Sequence, residues 1–353
     1  MMEHKLGLAV LFTSFFLWLY FDTASAQRTG SLSVYTISSF QNPDINTNKL
    51  NHILLHSQSG SVYVGAVNAM YRLNNDLEHQ SYASTTPTCE DERNCVNHNE
   101  ILIVEPLRNA LITCGSYTGR CQLRHIEELT VTADIDNYVA SNEDKTTIGI
   151  LAPGPGNTDW LYVAATFRST SPKFIIPPVS RRTLRLEVPD ALLLLARKDD
   201  DTVNFNIRYR SDPFDITYVH GFSLNGFVYY VTHQNGLSKV VRVCHQADRP
   251  VSHRPNLDAY TEITIQCGRG SSVFPLAQAS HVGPAGPNIA TSLGIDSSDL
   301  MLYAVFTKDD SSALCMFSMS DIEGAFLTAV GNCVRGTGGV SVSYLDMEID
   351  VVP

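Results

Sequence analysis

The hydrophobic pattern of this chain repeats as short units of three apolar or alternating runs. Each unit has a first run, a turn rich in Gly, Asn, Asp or Ser, then a second and a third run. Runs of this length, bounded by turn residues, indicate β-strands. In four of the five units the second run carries an aromatic residue near its centre. The chain is therefore predicted to be a succession of small antiparallel sheets.

The predicted strands are 51–55, 61–67 and 70–73 in the first unit, 99–104, 110–114 and 121–125 in the second, 147–151, 159–165 and 182–186 in the third, 216–220, 226–231 and 239–244 in the fourth, and 291–295, 300–306 and 313–317 in the fifth. Helical periodicity is scarce and predicts only two short helices, at 125–130 and 321–328. The fold class predicted from this pattern is all-β.

The spacing of the units indicates the blades of a β-propeller. The second runs begin at 61, 110, 159, 226 and 300, so the intervals are 49, 49, 67 and 74 residues. A period near 50 with several strands per unit is typical of propellers, and the longer intervals indicate loop insertions at the rim. A large β-sandwich, or two of them, also uses short strands joined by turns and stays open as an alternative.

The first 26 residues have the pattern of a secretory signal peptide. Lys5 precedes an uncharged, mostly apolar run at 6–21, and Ala24 and Ala26 supply an A-x-A cleavage pattern. We expect the mature chain to begin at Gln27. An uncleaved membrane anchor would need about 20 apolar residues and is the alternative. No later stretch is long and apolar enough to span a bilayer, so the sequence predicts an extracellular chain without a membrane span.

Composition narrows the kinds of partner. The formal net charge is −11, and such an acidic exported chain is a poor candidate for binding nucleic acid or heparin. Export makes the eight cysteines candidates for disulfides. Cys114 and Cys121, with two glycines between them, indicate a disulfide-closed hairpin tip, because a metal or redox site needs a tighter pair or further ligands.

Motifs that would indicate catalysis are absent from the sequence. It contains no H-E-x-x-H, no G-x-S-x-G and no Walker loop. The acidic runs at 90–92 and 199–201 lack the spacing and the glycine of a calcium loop, and we interpret them as solvated turns. The sequence therefore predicts a protein that is not an enzyme, with no catalytic, cofactor-binding or metal-binding residues and no cofactor.

Five motifs, in order along the chain, resemble the sema domain of plexins. They are LNHILL followed by VYVGAVNAMYRL at 50–73, CGSYTGRC at 114–121, FDITYVHGF at 214–222, KVVRVC at 239–244 and SALCMF at 312–317. The CGS and GxC parts of the second motif resemble plexins rather than semaphorins. The sema fold is a seven-bladed propeller, and this chain resembles its first five blades and the start of the sixth. The resemblance thus implies that residues 27–353 are a sema domain truncated at its C-terminal end.

The resemblance implies protein recognition as the function. A plexin sema domain binds the sema domain of a semaphorin, so the expected role is that of an extracellular semaphorin-receptor domain in cell guidance. Other plexin ectodomains are further candidate partners. The alternatives are a secreted, truncated decoy or an incomplete gene model without activity of its own, and a semaphorin-like ligand.

The resemblance also assigns the cysteines. It implies disulfides between Cys89 and Cys95, between Cys114 and Cys121, and between Cys267 and Cys315. The plexin partners of the two cysteines Cys244 and Cys333 would lie beyond the last residue, so the resemblance implies that both are unpaired here.

Two long connections, 167–181 and 245–261, are the candidate binding loops, because loops vary while strands maintain the scaffold. The first leads into the only basic cluster of the acidic chain, Arg181, Arg182 and Arg185. One hypothesis is that this cluster contacts carboxylates of a partner. The alternative is a solvated edge strand whose charges prevent aggregation.

Overall fold

The computed structural model shows a chain made almost entirely of antiparallel β-sheets. It describes residues 8–11, 18–21, 38–41, 49–89, 95–135, 138–142, 144–154, 159–166, 179–184, 202–203, 216–245, 261–268 and 272–336. The loop insertions predicted at the rim lie outside these residues over 167–178 and 246–260, as do both acidic runs.

Within the described residues, five sheets follow one another along the chain, and each is built from consecutive strands. The first sheet contains β3 (Leu50–Leu55), β4 (Val62–Ala66), β5 (Ala69–Leu73) and β6 (His79–Ser84). The second contains β7 (Asn99–Glu105), β8 (Ala110–Gly115), β9 (Cys121–His125) and β10 (Val131–Ile135). The third contains β11 (Thr147–Pro153), β12 (Asp159–Ala165), β13 (Val179–Thr183) and β14 (Thr202–Val203).

The fourth sheet contains β15 (Thr217–Leu224), β16 (Phe227–Gln234), β17 (Leu237–Cys244) and β18 (Thr261–Ile265). The fifth contains β19 (Leu276–Pro284), β20 (Leu300–Lys308) and β21 (Ser311–Ser318). Two helices accompany the strands of the fifth sheet in the sequence. The helix α1 (Gly286–Leu293) connects β19 to β20, and α2 (Met319–Val334) follows β21.

A separate two-stranded sheet lies near the N-terminus. Its strands, β1 (Leu8–Leu11) and β2 (Trp18–Phe21), pair antiparallel. Both fall inside the segment that the sequence assigns to a signal peptide. The signal peptide at 1–26 and the sema domain at 27–353 both stay predictions.

The five sheets are arranged as successive blades. Within each sheet the strands are antiparallel neighbours in chain order. The first strand of each sheet also contacts the first strand of the next, from β3 through β7, β11 and β15 to β19. Sheets that pack face to face around their first strands form a propeller, whereas a sandwich has two facing layers. The propeller prediction is confirmed.

Glycine allows neighbouring first strands to approach closely. A Cβ on Gly149 of β11 would lie 2.9 Å from the side chain of Ile101 in β7. A Cβ on Gly221 of β15 would lie 2.4 Å from the side chain of Ile150 in β11. Both distances are shorter than carbon atoms can approach without displacement, so glycine at these positions sets the spacing between consecutive sheets.

Side chains from two adjacent sheets fill each interface between blades. The second strands contribute most, because their residues are buried on both faces. Buried members of the four interfaces are Tyr63, Met70 and Leu111 between the first and second sheets, Ile112, Leu161 and Val163 between the second and third, Tyr162, Tyr218 and Tyr230 between the third and fourth, and Tyr229, Leu302 and Phe306 between the fourth and fifth.

The structure corrects three predicted elements. Residues 291–295, predicted as the first strand of the fifth unit, form the end of α1 and the turn after it, and the first strand is β19. The helix is favoured by Pro287 in its first turn and by Gly294 in the left-handed conformation at its C-terminus.

The helix predicted at 125–130 is a turn closed by a hydrogen bond from the His125 amide to the Thr130 carbonyl at 2.8 Å. The third strand of the third sheet begins at Val179, three residues before its predicted start. The helix predicted at 321–328 lies within α2.

Candidate interaction site

The arginines that were the candidate partner contact are buried between blades. Arg181 and Arg182 lie on β13 and are 3 % and 1 % exposed. In this conformation neither guanidinium reaches a partner, and neither belongs to a solvated edge. Their burial favours a structural role, and the partner contact stays a prediction. Arg185, the third member of the cluster, lies outside the described residues.

Arg181 joins the third sheet to the fourth. Its Nη1 donates a hydrogen bond to the carbonyl oxygen of His245 at 3.0 Å, and its guanidinium carbon lies 4.9 Å from the centre of the Trp160 ring. A cation over the face of an indole is attracted by the ring quadrupole, and the attraction is stronger where water is excluded. Arg181 therefore stabilises the interface between two blades.

Arg182 joins the third sheet to the second. Its Nη2 donates to the carbonyl oxygen of Tyr138 at 3.1 Å, and its Nε donates to Ser180 Oγ at 3.1 Å. Arg108 makes the reverse connection, because its Nη2 donates to the carbonyl oxygen of Leu184 at 2.7 Å. These arginines thus satisfy backbone carbonyls of a neighbouring sheet, which would otherwise lose their hydrogen bonds to water.

His245, the last described residue before the connection 246–260, is fixed by several contacts. Its carbonyl accepts the hydroxyl of Tyr162 at 3.2 Å as well as Arg181. Its amide donates to the carbonyl of Gly226 at 2.9 Å, and its Nε2 lies 3.1 Å from Ser223 Oγ. The connection therefore starts from a rigid residue at the boundary between the third and fourth sheets.

The two candidate binding loops leave opposite ends of their sheets. We call the end where a sheet's first strand begins the entry end, and the end where that strand turns into the second the turn end. Ala165, the last residue of β12, pairs with Thr147, the first of β11, so the connection 167–178 leaves the entry end. Cys244, the last residue of β17, pairs with Phe227 beside the β15–β16 turn, so 246–260 leaves the turn end.

The hairpin tip between β8 and β9 lies at the entry end of the second sheet and is fully described. Cys114 and Cys121 are joined by a disulfide across directly paired positions, with Cα atoms 3.9 Å apart. The side chain of Tyr117 in this tip is 42 % exposed. Sequence reasoning identified the tip as a disulfide hairpin but gave its tyrosine no role. The glycine and cysteine on each side of Tyr117 were the sequence signal that could have identified it as an exposed residue of a fixed turn.

Two further disulfides lie outside the hairpin tip. Cys89 and Cys95 close the connection between the first and second sheets, with Cα atoms 6.1 Å apart. Cys267 follows β18 of the fourth sheet and is bonded to Cys315 in β21 of the fifth, with Cα atoms 5.7 Å apart. Cys244 is a half-buried free thiol. Cys333 lies in α2, and its side chain is outside the described atoms.

Neither a metal centre nor a membrane span is found in the described parts of the chain. Over those ranges no group of three or more His, Cys, Asp or Glu side chains is placed to hold a metal ion. Among the helices that the structure describes, none is long and apolar enough to cross a membrane.

Comparison with known proteins gives plexins as relatives. No protein-family model matches the chain. Plexin-A4 of Danio rerio is 28 % identical over 354 residues, and plexin-A2 of Homo sapiens is 27 % identical over 339 residues. Each match covers 84 % of this chain and 18 % of the relative, so the chain spans about a fifth of the length of these proteins.

Solved structures give the same result for the fold. The plexin A4 full extracellular region matches with a TM-score of 0.70 and 26 % identity, over 84 % of this chain and 34 % of that one. Drosophila semaphorin 1a matches with a TM-score of 0.55 and 19 % identity, over 79 % of this chain and 55 % of that one, which shows a shared fold. The resemblance to the plexin sema propeller is thereby confirmed.

Proposed function

We propose that this plexin-like chain is an extracellular recognition domain that binds the sema domain of a semaphorin. The observation that carries the proposal is the match to the plexin A4 extracellular region in both sequence and fold, over 84 % of this chain. The semaphorin match is weaker in both measures, at 19 % identity and a TM-score of 0.55. A receptor-type role therefore has more support than a ligand-type role.

The interior of the propeller supports binding rather than chemistry. Several polar groups between the sheets hydrogen-bond to backbone carbonyls of the adjacent sheet, as Arg181 and Tyr162 do at His245. Such groups rigidify the scaffold and leave recognition to the loops at the ends of the strands. Export is supported by the three described disulfides and by the predicted signal peptide. It is also supported by the match to the extracellular region of plexin A4.

The proposal is tested by expressing the full chain through a secretory pathway and measuring its binding to immobilised semaphorin sema domains. We expect saturable binding to at least one semaphorin and none to an unrelated propeller. Binding to plexin ectodomains alone would favour the semaphorin-like alternative. A monodisperse chain that unfolds cooperatively and binds neither class would overturn the proposal.

A further inference from the structure

The hairpin tip, residues 115–120, has a backbone held by internal hydrogen bonds as well as by its disulfide. The amide of Gly119 donates to the carbonyl of Gly115 at 3.0 Å, and the amide of Gly115 donates to the carbonyl of Arg120 at 3.1 Å. The Cys114–Cys121 disulfide closes the tip at its base. Part of the backbone of the turn is therefore hydrogen-bonded within the hairpin itself.

Two neighbouring segments hold the tip from outside. The amide of Tyr117 donates to Asn97 Oδ1 at 3.1 Å, and the amide of Ser116 donates to the carbonyl of His98 at 2.9 Å. From the other side, the carbonyl of Gly119 accepts the amides of Val139 at 2.7 Å and Ala140 at 3.0 Å. These contacts come from the connections before β7 and after β10, so two segments outside the hairpin fix its turn.

Both glycines of the tip are required by this packing. A Cβ on Gly115 would lie 2.2 Å from Asn97 Oδ1. Gly119 has a φ of +67°, and a Cβ there would lie 2.7 Å from the carbonyl oxygen of Ala140. The tip is thus built to hold one conformation, although its side chains at 117, 118 and 120 are exposed.

The exposed side chains are of the kinds that dominate protein interfaces. Tyr117 is 42 % exposed, and the guanidinium carbon of Arg120 lies 5.4 Å from the centre of the half-buried Tyr138 ring. Tyrosine and arginine are enriched among residues that contribute most to binding, and tyrosine loses little side-chain entropy when it is fixed. A rigid backbone further reduces the entropy lost on association.

We propose that Tyr117, Arg120 and Tyr138 form a contact surface for a folded protein partner. The fitting partner offers an apolar pocket of the size of a phenol ring for Tyr117, with polar groups at its rim beside the exposed Arg120. This inference rests on the proposed function, which makes that partner a semaphorin sema domain. The proposed contact lies on the β8–β9 turn at the entry end of the second sheet. It adds a third candidate binding segment to the two long connections.

The test compares Tyr117→Ala and Arg120→Glu with Leu107→Ala in binding to the semaphorin that the unmodified full chain binds. Leu107 is a matched control, because it is 79 % exposed in the β7–β8 turn at the opposite end of the same sheet. We expect the dissociation constant to rise at least tenfold in the first two variants and to stay within twofold in the control. The unfolding temperature should be unchanged in all three, which separates lost contacts from lost folding.

The outcomes distinguish this inference from the proposed function. If the unmodified chain binds and Tyr117→Ala binds equally well, the contact surface is overturned and the receptor role stands. If the correctly folded unmodified chain binds no semaphorin, both are overturned. A double Cys114→Ala, Cys121→Ala variant gives a second measurement. Its affinity for the semaphorin should fall although Tyr117 is retained, because the tip loses its fixed conformation. An unchanged affinity would contradict the proposal that a rigid tip contributes to binding.

Discussion

The phenol of Tyr63 in the first sheet donates a hydrogen bond to the carbonyl oxygen of Ile126 in the second sheet at 2.9 Å. Tyr162 repeats this contact between the third and fourth sheets, donating to the carbonyl of His245 at 3.2 Å. In both cases the tyrosine lies on the second strand, and the acceptor is the first residue after the third strand of the next sheet. In these two units the aromatic that recurs in the sequence therefore joins consecutive blades.

Removing the hydroxyl of Tyr63 should destabilise the fold measurably. Burial raises the pKa of Tyr63, so the hydroxyl stays protonated and available as a donor. The Tyr63→Phe variant leaves the carbonyl of Ile126 without this partner, which costs about 1–2 kcal/mol. The free energy of unfolding in urea measures the loss. Tyr82→Phe is the control, because Tyr82 is 50 % exposed and its variant should change stability little. Equal stability of the two variants would contradict the role of the bond.

Replacing Arg181 should weaken the fold rather than binding alone. The Arg181→Met variant keeps an apolar stem but loses the charged hydrogen bond to His245 and the contact with the Trp160 ring. Together these losses cost about 2–4 kcal/mol. Arg120→Met, on an exposed arginine that also lies over an aromatic ring, should change stability by less than about 0.5 kcal/mol. Weaker semaphorin binding by Arg181→Met with unchanged stability would restore the partner-contact hypothesis.

The second strands were predictable because both of their faces are buried. Every residue of β4 is buried, and β12 and β16 are buried over most of their length. Such strands are continuous apolar runs with a central aromatic, and the observed starts at Val62, Ala110, Asp159, Phe227 and Leu300 agree with the prediction within one residue. The five-fold repeat follows from these strands alone.

The first strand of the fifth sheet and the arginine cluster were not predictable by the same argument. β19 buries Ala277 and Ala279 against its neighbours, and short side chains give no strong strand signal. The alternating run at 291–295, with Leu293 and Ile295 two residues apart, fits the strand pattern but follows Pro287 and lies at the end of a helix. Arg181 and Arg182 look like surface charges in a sequence, because their acceptors, the carbonyls of His245 and Tyr138, are 64 and 44 residues away. Contacts at that separation depend on the order in which the blades pack.

The hairpin disulfide and the disulfide between the fourth and fifth sheets should differ in what they contribute to stability. The Cys267–Cys315 bond spans 48 residues and joins two sheets, whereas Cys114–Cys121 spans 7 within one hairpin. In the chain-entropy description the longer loop is worth about 4 kcal/mol and the shorter about 2.5 kcal/mol. Double Cys→Ala variants of each pair, unfolded without reductant, measure the difference. A larger loss on removing the hairpin bond would show that its native contacts, rather than loop closure, dominate its contribution.

Acidification should destabilise the propeller through two histidines that lie between blades. His52 Nδ1 donates to the carbonyl oxygen of Asn99 at 2.5 Å, and His220 Nδ1 lies 3.0 Å from Ser280 Oγ. Burial lowers the pKa of His52 to about 4, and burial together with the charge of nearby His281 lowers the pKa of His220 to about 4. The unfolded chain, with a pKa of about 6.5 at each histidine, binds more protons than the folded one between pH 6.5 and 4.

Stability is therefore complete above pH 6.5 and falls as the pH drops towards 4, by about 1–2 kcal/mol per histidine between pH 7 and pH 5. Unfolding free energies measured across this range test the sign. His52→Asn places an amide donor where Nδ1 lies and removes the titration, so its stability should depend less steeply on pH than that of the unmodified chain. His79→Asn, on an exposed histidine of β6, should leave the dependence unchanged. If His52→Asn and the unmodified chain lose stability in parallel, groups other than His52 bind the protons, and the contact with Asn99 is not the source of the acid sensitivity.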